Sequence, residues 1–390
     1  RYCCCGFKLS QTIIGGWRVF SQIQKFHFIG IGGVGMSSLA HVLHGLGKTV
    51  SGSDSKASAI TERLRQEGLR VFIGHRAEQV AAAEVVVLST AIHKDNAEYL
   101  EAQRRGLKIV HRSDIMAYIV NSGLGVAVAG AHGKTTTTAM ISYITTQAGL
   151  DPTYMIGGDV ELLSGNSHLG RSEYIITEAD ESDGSFLKLT PQLAVITNIE
   201  DDHMDYYKTK ENINKAFVQF LDNVQPGGKA IVCFDNEVIR QIAPESKTQY
   251  LSYAAEHEAD YQARDILYQN AQTVYQLFCH GQRVCEVTLA VPGLHNVLNS
   301  LAAIAATTEM GVALPQILAA LRNFSGAKRR FELKYQDAQL KIVDDYAHHP
   351  TEIATTLKAA RQSLPKRLIC VFQPHRYTRT QLLFTEFVEA

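Results

Sequence analysis

Gly130-Ala131-His132-Gly133-Lys134-Thr135-Thr136 is the stretch on which the reading of the fold turns. The apolar run Val126-Ala127-Val128-Ala129 before it reads as a buried strand, and Thr137-Thr138-Ala139-Met140-Ile141 after it opens a helix. A strand, a glycine loop, a lysine, a hydroxyl and a helix N-terminus together make a phosphate cradle. Backbone N–H groups and the helix dipole face the anion, Lys134 neutralises its charge, and Thr135 can hold Mg²⁺. The outer glycine of the G-x-x-x-x-G-K pattern would fall at Val128, so the match departs from that pattern at one position. The reading that follows is a nucleoside-triphosphate loop in an α/β unit.

The rest of the chain bounds what surrounds this loop. A length of 390 residues accommodates two or three domains with substantial cores. A formal charge of −1 leaves no electrostatic footprint for nucleic acid or an anionic membrane surface. No apolar run reaches the roughly 18 residues needed to cross a bilayer. The cysteines form no framework: Cys3, Cys4 and Cys5 are adjacent, the other four are scattered, and no C-x-x-C spacing occurs. That usage points to a reducing, cytoplasmic setting. Residues 1–24 carry the triple cysteine, show no signal-peptide pattern, and read as an extension without assigned chemistry.

Three units follow. Residues 25–122 open with Phe26-His27-Phe28-Ile29 and the turn Gly30-Ile31-Gly32-Gly33-Val34-Gly35, then a helical pattern. Further strands are expected at Thr49–Ser51, Val71–Ile73, Val85–Leu88 and Lys108–Val110. Alternation with helices predicts a parallel, doubly wound, Rossmann-like sheet. Residues 123–323 hold the phosphate loop and continue as α/β, with buried strands at Tyr174–Thr177, Leu193–Thr197 and Ala230–Phe234, a ribbon strand near Val284–Leu289, and a helix from about Asn296 to Thr307. Residues 324–390 predict a third α/β unit of Rossmann-like type. Its strands are expected at Leu340–Val343 and Leu368–Phe372 with a helix Pro350–Gln362 between, and its length is short for a domain, so it reads as incomplete.

Chemistry-bearing residues fall at the ends of these strands, where ligands of open α/β sheets bind. The first glycine turn with Asp54 about 20 residues on matches the dinucleotide fingerprint, which alone admits a nicotinamide-dependent oxidoreductase. The second loop argues against that reading, because a nicotinamide enzyme has no use for a triphosphate cradle. Two phosphate loops instead predict a nucleotide-linked substrate at the first and ATP at the second. Glu178-Ala179-Asp180-Glu181-Ser182-Asp183 supplies hard oxygen ligands for Mg²⁺, and Asp201-Asp202-His203 ends the next strand in the same way. His295, Asn296 and Asn299 sit at a helix start after Pro292-Gly293, able to contact a purine or ribose or simply to cap the helix. Lys328-Arg329-Arg330 is a cationic knot suited to a phosphate in transfer. Asp344-Asp345-Tyr346-Ala347-His348-His349 and His375-Arg376-Tyr377-Thr378-Arg379 close the last two expected strands, the arginines able to clamp a carboxylate.

Taken together, Gly30–Met36, Ser51–Asp54, Gly130–Thr138, Glu178–Phe186, Thr197–Asp205, Gly293–Asn299, Phe324–Glu332, Asp344–Ile353 and Phe372–Thr380 resemble the Mur ligases of peptidoglycan synthesis, in family order from about residue 25 to the end. Within the family they most resemble its alanine-adding branch. The resemblance implies a UDP-sugar-binding domain, a central ATPase domain and a C-terminal amino-acid domain. It implies ATP and Mg²⁺ as cofactors, and UDP-N-acetylmuramate and L-alanine as substrates of an amide ligation through an acyl phosphate. By the resemblance, Gly130, Ala131, His132, Gly133, Lys134, Thr135 and Thr136 cradle the triphosphate, and Thr135, Glu178 and His203 organise the metal. His295, Asn296 and Asn299 meet adenosine, and Arg330 and Asp345 close on the nucleotide. Tyr346, His348, Arg376 and Arg379 form the amino-acid end, while Gly32, Gly33, Val34, Gly35, Met36 and Asp54 carry the uridine diphosphate. Lys134, Glu178, His203, Arg330, Asp345 and His348 are the implied catalytic set.

One departure is informative. Sister ligases carry a carbamylated lysine on the helix after the Asp-His pair, and the corresponding position here is Phe217. That difference favours the alanine-adding branch. A sister activity that joins a recycled tripeptide to UDP-N-acetylmuramate stays open, as does a chain that binds both nucleotides without turnover.

Overall fold

The structure is a computed structural model that describes residues 18–269, 272–362, 365–375 and 377–390. Strands β1 (Lys25–Ile29), β2 (Thr49–Asp54), β3 (Arg70–Ile73), β4 (Val85–Leu88) and β5 (Lys108–His111) form the first sheet in the order β3-β2-β1-β4-β5. Every neighbouring pair is parallel, as the alternation of strands and helices predicts. The order reverses beside β1, so the turn Gly30–Gly33 emerges at a topological switch point. The preceding helix Arg18–Gln22 falls within the stretch read as an extension. It drops Phe20, 4% exposed, against Tyr118 with ring centroids 5.6 Å apart, so this segment is part of the first core.

Beneath this sheet lies a polar network with no sequence signature. Glu98, fully buried on the helix Ala97–Arg104, meets His27 Nε2 at 2.5 Å, Ser53 Oγ at 2.6 Å and His75 Nδ1 at 2.6 Å. Burial pushes the Glu98 carboxyl upward, but its bonds to His27, Ser53 and His75 outweigh this and hold it below the ordinary value of 4.5. A depressed folded-state pKa contributes stability that is present above 4.5 and lost as pH falls through the folded value. The unfolding temperature of the first unit should therefore fall on acidification below about pH 4.5, and Glu98→Gln should flatten that dependence. Thermal unfolding followed across pH checks this; an unchanged slope in Glu98→Gln would assign the acid sensitivity elsewhere.

The second sheet contains β6 (Leu124–Ala129), β7 (Thr153–Val160), β8 (Gly165–His168), β9 (Tyr174–Glu178), β10 (Leu193–Ile196), β11 (Lys229–Cys233), β12 (Tyr250–Ala254), β13 (Tyr261–Gln269), β14 (Gln272–Cys279) and β15 (Gln282–Leu289). Their order is β15-β14-β13-β12-β11-β10-β6-β9-β7-β8. Strand β6 lies in the middle, parallel to β9 and β10, and its residues from Gly125 to Ala129 are buried, which is why it reads as a continuous apolar run. Strands β13, β14 and β15 form an antiparallel ribbon, matching the expectation at Val284–Leu289. The helices Lys134–Gln147 and Leu294–Glu309 pack against each other. Thr135 to Thr138 are all buried in the first of these helices. A run of β-branched residues is a weak helix former, so tertiary burial is what holds this turn.

In the third unit β16 (Glu332–Gln336) and β17 (Lys341–Asp344) pair antiparallel, and the helix Pro350–Arg361 follows. The strand expected at Leu368–Phe372 is not formed. The segment has no ladder partner among the described residues, and Ile369 and Val371 are 67% and 94% exposed. An apolar run becomes a strand only where a neighbour takes its N–H and C=O groups. Among the described residues no helix is long and apolar enough to cross a membrane.

Candidate active site

Register decides where the chemistry meets. Strand β6 pairs Val128 with Glu178 of β9 and Ala129 with Ile196 of β10. All three strands run the same way, so the phosphate loop, the acidic run and the Thr197–His203 segment leave the sheet at the same edge.

The loop itself is held by its neighbours. Gly130 has φ +130°, and a Cβ there would stand 2.2 Å from Thr197 Oγ1, so only glycine fits. Thr197 Oγ1 donates to the His132 carbonyl at 2.5 Å, and Asn198 Oδ1 accepts from the His132 N–H at 2.8 Å. Gly133, at φ +82°, caps the helix Lys134–Gln147, and a Cβ on it would stand 2.6 Å from Asn299 Oδ1. The first-turn N–H groups of that helix have no intrahelical acceptor, the arrangement that suits an anion.

Lys134 Nζ donates to Glu181 at 2.8 and 3.0 Å and also to the Gly130 carbonyl. Burial would lower the ammonium pKa, but the Glu181 carboxylate outweighs it, with Asp180 and Glu178 adding to the effect, and holds it above the usual lysine value. Glu178 is disposed differently. Burial pushes its carboxyl upward, only partly offset by the Gly157 N–H at 2.5 Å, Lys134, the Thr135 hydroxyl and Arg330. His203 sits 3.7 Å from Glu181 and 3.5 Å from Asp202. Burial lowers its pKa, but Glu181 and Asp202 override this and raise it. Its φ of +59° is rare for a residue with a side chain, and such strain concentrates at functional sites.

The third unit closes the cleft. Arg330 lies 3.7 Å from Glu352, and the Asp345 carboxylate accepts from the N–H groups of Phe331 at 2.8 Å and Ala347 at 2.7 Å. Burial raises the Asp345 pKa despite those bonds. His348 is kept below the usual histidine value, first by burial and then by Arg379 and Arg330, against the pull of Glu352. Arg379 approaches Asp202 at 3.5 Å, and the His348 and His375 rings stand 5.6 Å apart.

Two adjoining cavities result. One is walled by Lys134, Thr135, Glu178, His203, Arg330, Tyr346, His348 and Arg379. The other is walled by Gly133, Thr136, His295, Asn296, Asn299, Arg330 and Asp345. The structure thus brings together the residues expected around the triphosphate, the metal and the amino-acid end; Arg376 lies outside the described residues. Asn296 and Asn299 do more than line the cavity. Asn296 donates to the Pro292 carbonyl at 2.7 Å, and Asn299 Oδ1 accepts from Thr137 at 3.2 Å, tying this helix to the phosphate loop. Burial with the nearby Arg330 lowers His295 to about 4, which makes it a neutral imidazole.

The first unit's residues lie apart from these cavities. The Gly32 N–H donates to Asp54 Oδ2 at 2.9 Å, and a Cβ on Gly32 would stand 2.8 Å from that same oxygen. Asp54 therefore braces the turn as well as facing it. Met36 is 4% exposed and packs in the core, so what it offers a ligand is a backbone N–H of the first helical turn. Val34 stands at the surface, 38% exposed, and its carbonyl accepts from Asn166 of β8. Arg112 bridges the first two units through Asp180 at 2.7 Å.

Three acids were not singled out from the sequence. Glu181 sits within the acidic run but without its own signature. Glu200 and Glu352 flank His132, Glu200 Oε2 lying 3.1 Å from Nε2 and Glu352 Oε1 3.1 Å from Nδ1. Glu352 had one readable signal, its place three residues after His349 at a Pro-initiated helix, where its carboxylate accepts from the His349 N–H at 3.3 Å.

The comparisons with known proteins agree with this architecture. Residues 25–123 match the Mur ligase family, catalytic domain; residues 128–307 match the Mur ligase middle domain; and residues 329–390 match the Mur ligase, glutamate ligase domain. The UDP-N-acetylmuramate–L-alanine ligase of Syntrophotalea carbinolica is 45% identical over 372 residues, covering 95% of this chain and 81% of that protein. The protein of the same name from Pelotomaculum thermopropionicum is 48% identical over 368 residues, covering 94% and 80%. Among solved structures, UDP-N-acetylmuramate-alanine ligase from Thermotoga maritima superposes with a TM-score of 0.82 at 30% identity, covering 92% of this chain and 83% of that one. A murein peptide ligase from Psychrobacter arcticus gives 0.74 at 28% identity, covering 90% and 81%. With these matches running through all three units, the chain belongs to the Mur ligase family.

Proposed function

We propose that this chain joins L-alanine to UDP-N-acetylmuramate at the expense of ATP, in peptidoglycan synthesis. The observation that carries the proposal is the meeting of Lys134, Glu178 and His203 with Arg330, His348 and Arg379 of the third unit around one cleft. A phosphoryl transfer needs charge neutralised on all sides of the moving group, and the subsequent attack by an amine needs a carboxylate clamp beside it.

In this reading the lactyl carboxylate of the sugar attacks the terminal phosphorus of ATP. The bond from that phosphorus to the bridging oxygen breaks, and ADP leaves. The alanine amine then adds to the acyl carbon, the C–O bond to phosphate breaks, and the nitrogen gives up its surplus proton. Lys134 and the first-turn N–H groups hold the β- and γ-phosphates, and Arg330 meets the developing charge. His348, held neutral, can take the proton from the amine, while Arg379 grips the alanine carboxylate. Asn296, Asn299 and His295 receive adenosine, and Gly32–Met36 with Asp54 receive the uridine diphosphate. Mg²⁺ suits the donor set of Glu178, Thr135 and His203: a buried carboxylate disfavoured as an anion beside a hydroxyl gains from an added cation. When bound, the ion supplies further neutralisation of phosphate charge.

The assay is direct. With UDP-N-acetylmuramate, MgATP and single amino acids, phosphate release should depend on alanine, and the product mass should show one alanyl addition. Release only with a tripeptide would replace this reading with that of the recycling ligase. No release with any acceptor would leave a chain that binds without turnover.

A further inference from the structure

We propose that His132, Glu200 and His349 form a binding site for a transition-metal cation of the zinc class, separate from the Glu178–Thr135–His203 set. One donor atom from each of the three lies within 4.8 Å of the others. Two imidazoles and a carboxylate are the donor set of a three-ligand zinc site with one open position.

Three features distinguish the cluster from a chance meeting of side chains. His132 Nε2 and His349 Nδ1 are both buried without a hydrogen-bond partner. Both stand near the same Glu200 oxygen, at 3.1 and 3.6 Å. Ring nitrogens left bare beside a shared carboxylate are what a metal ligand set presents before the ion enters. The outer contacts then follow the pattern of ligated histidines. His132 Nδ1 meets Glu352 Oε1 at 3.1 Å, giving a carboxylate–histidine pair that orients the ring, and Thr351 donates to Glu200 Oε2 at 3.1 Å. Ligands of a tetrahedral zinc lie roughly 3.3 Å apart, so modest ring and carboxylate rotations bring the set to bonding distance.

The placement gives the site a consequence. His132 belongs to the phosphate loop, Glu200 follows β10, and His349 caps the helix Pro350–Arg361 of the third unit. A cation held by all three joins the second and third units across the cleft through which nucleotide must pass.

Titration of the full chain with Co²⁺ or Zn²⁺ in millimolar Mg²⁺ tests this without reference to catalysis, so it stands or falls apart from the ligase reading. Co²⁺ should give the intense visible absorption of a tetrahedral site at one equivalent, and Zn²⁺ should displace it. His349→Ala and Glu200→Gln should each weaken Zn²⁺ binding at least about tenfold, and Glu352→Gln should weaken it about tenfold as an outer-shell change. Glu178→Gln should leave it unchanged, and circular dichroism should show all four variants folded. Loss of the Co²⁺ spectrum in Glu178→Gln with retention in His349→Ala would place the ion at the Mg²⁺ ligands and overturn the proposal. Absence of a tetrahedral spectrum in the unaltered chain would overturn it as well, leaving a protonated His132 bridging Glu200 and Glu352.

Discussion

Lys134→Ala should lower kcat by at least about three orders of magnitude while leaving the dissociation constant for UDP-N-acetylmuramate within about twofold. The asymmetry follows from the contacts. Lys134 engages Glu181 and the Gly130 carbonyl at the edge of the second sheet. The glycine turn of the first sheet is braced by Asp54 and Ser53, and among the described residues the two loops share no hydrogen-bond partner. Removing the ammonium leaves Glu178, Asp180 and Glu181 facing the phosphates with one less compensating charge, so the loss should fall on phosphoryl transfer and on nucleotide binding. Single-turnover phosphate release, with calorimetry for the UDP-sugar, separates the two. A large loss of UDP-sugar affinity would contradict the division of labour between the loops.

Phe217→Ala should cost about 3–5 kcal/mol of stability. Phe217 is fully buried on the helix Lys210–Asp222, with its ring edge-on to Phe186 at 5.1 Å. Phe186 belongs to the turn Ser185–Lys188, which follows the acidic run directly. Deleting the ring leaves a cavity under the segment that positions Glu181 and therefore Lys134, so turnover should fall along with stability. Phe217→Leu should cost less than about 1.5 kcal/mol, since it keeps most of the volume. Urea unfolding followed at the second unit measures both. A cost below 1 kcal/mol for Phe217→Ala would mean that the aromatic cluster is not what supports the acidic run. The same geometry accounts for the departure noted at this position. The position is here fully buried and aromatic, and a lysine introduced there would bury an unpaired charge.

Much of the candidate site was readable along the chain because its residues are tied to local features. A phosphate loop is a strand, a tight turn and a helix start, all set by neighbours in sequence, so Gly130–Thr136 declares itself. Glu178 and His203 were legible for a related reason: each closes or closely follows an apolar strand of a parallel sheet, and such ends converge on one edge. The ribbon of β13, β14 and β15 was only partly visible, since its exposed strands alternate without a strong apolar run. The strand expected at Leu368–Phe372 shows the limit of such reasoning, because composition proposes a strand but only a partner completes one.

What the sequence determined by itself is the family, the order of the units, and which segments bring chemistry-bearing residues to the cleft. Those depend on spacings of a few residues, and backbone geometry translates such spacings directly into shape. What only the tertiary structure decided is which carboxylate serves which cation. Glu181, not Glu178, pairs with Lys134, and Glu178 is left half-buried against the Gly157 N–H. Glu352 reaches His132 across 220 residues of chain. Those choices rest on sheet register and on how the third unit docks, and electrostatic coupling over a few ångströms is blind to distance along the chain.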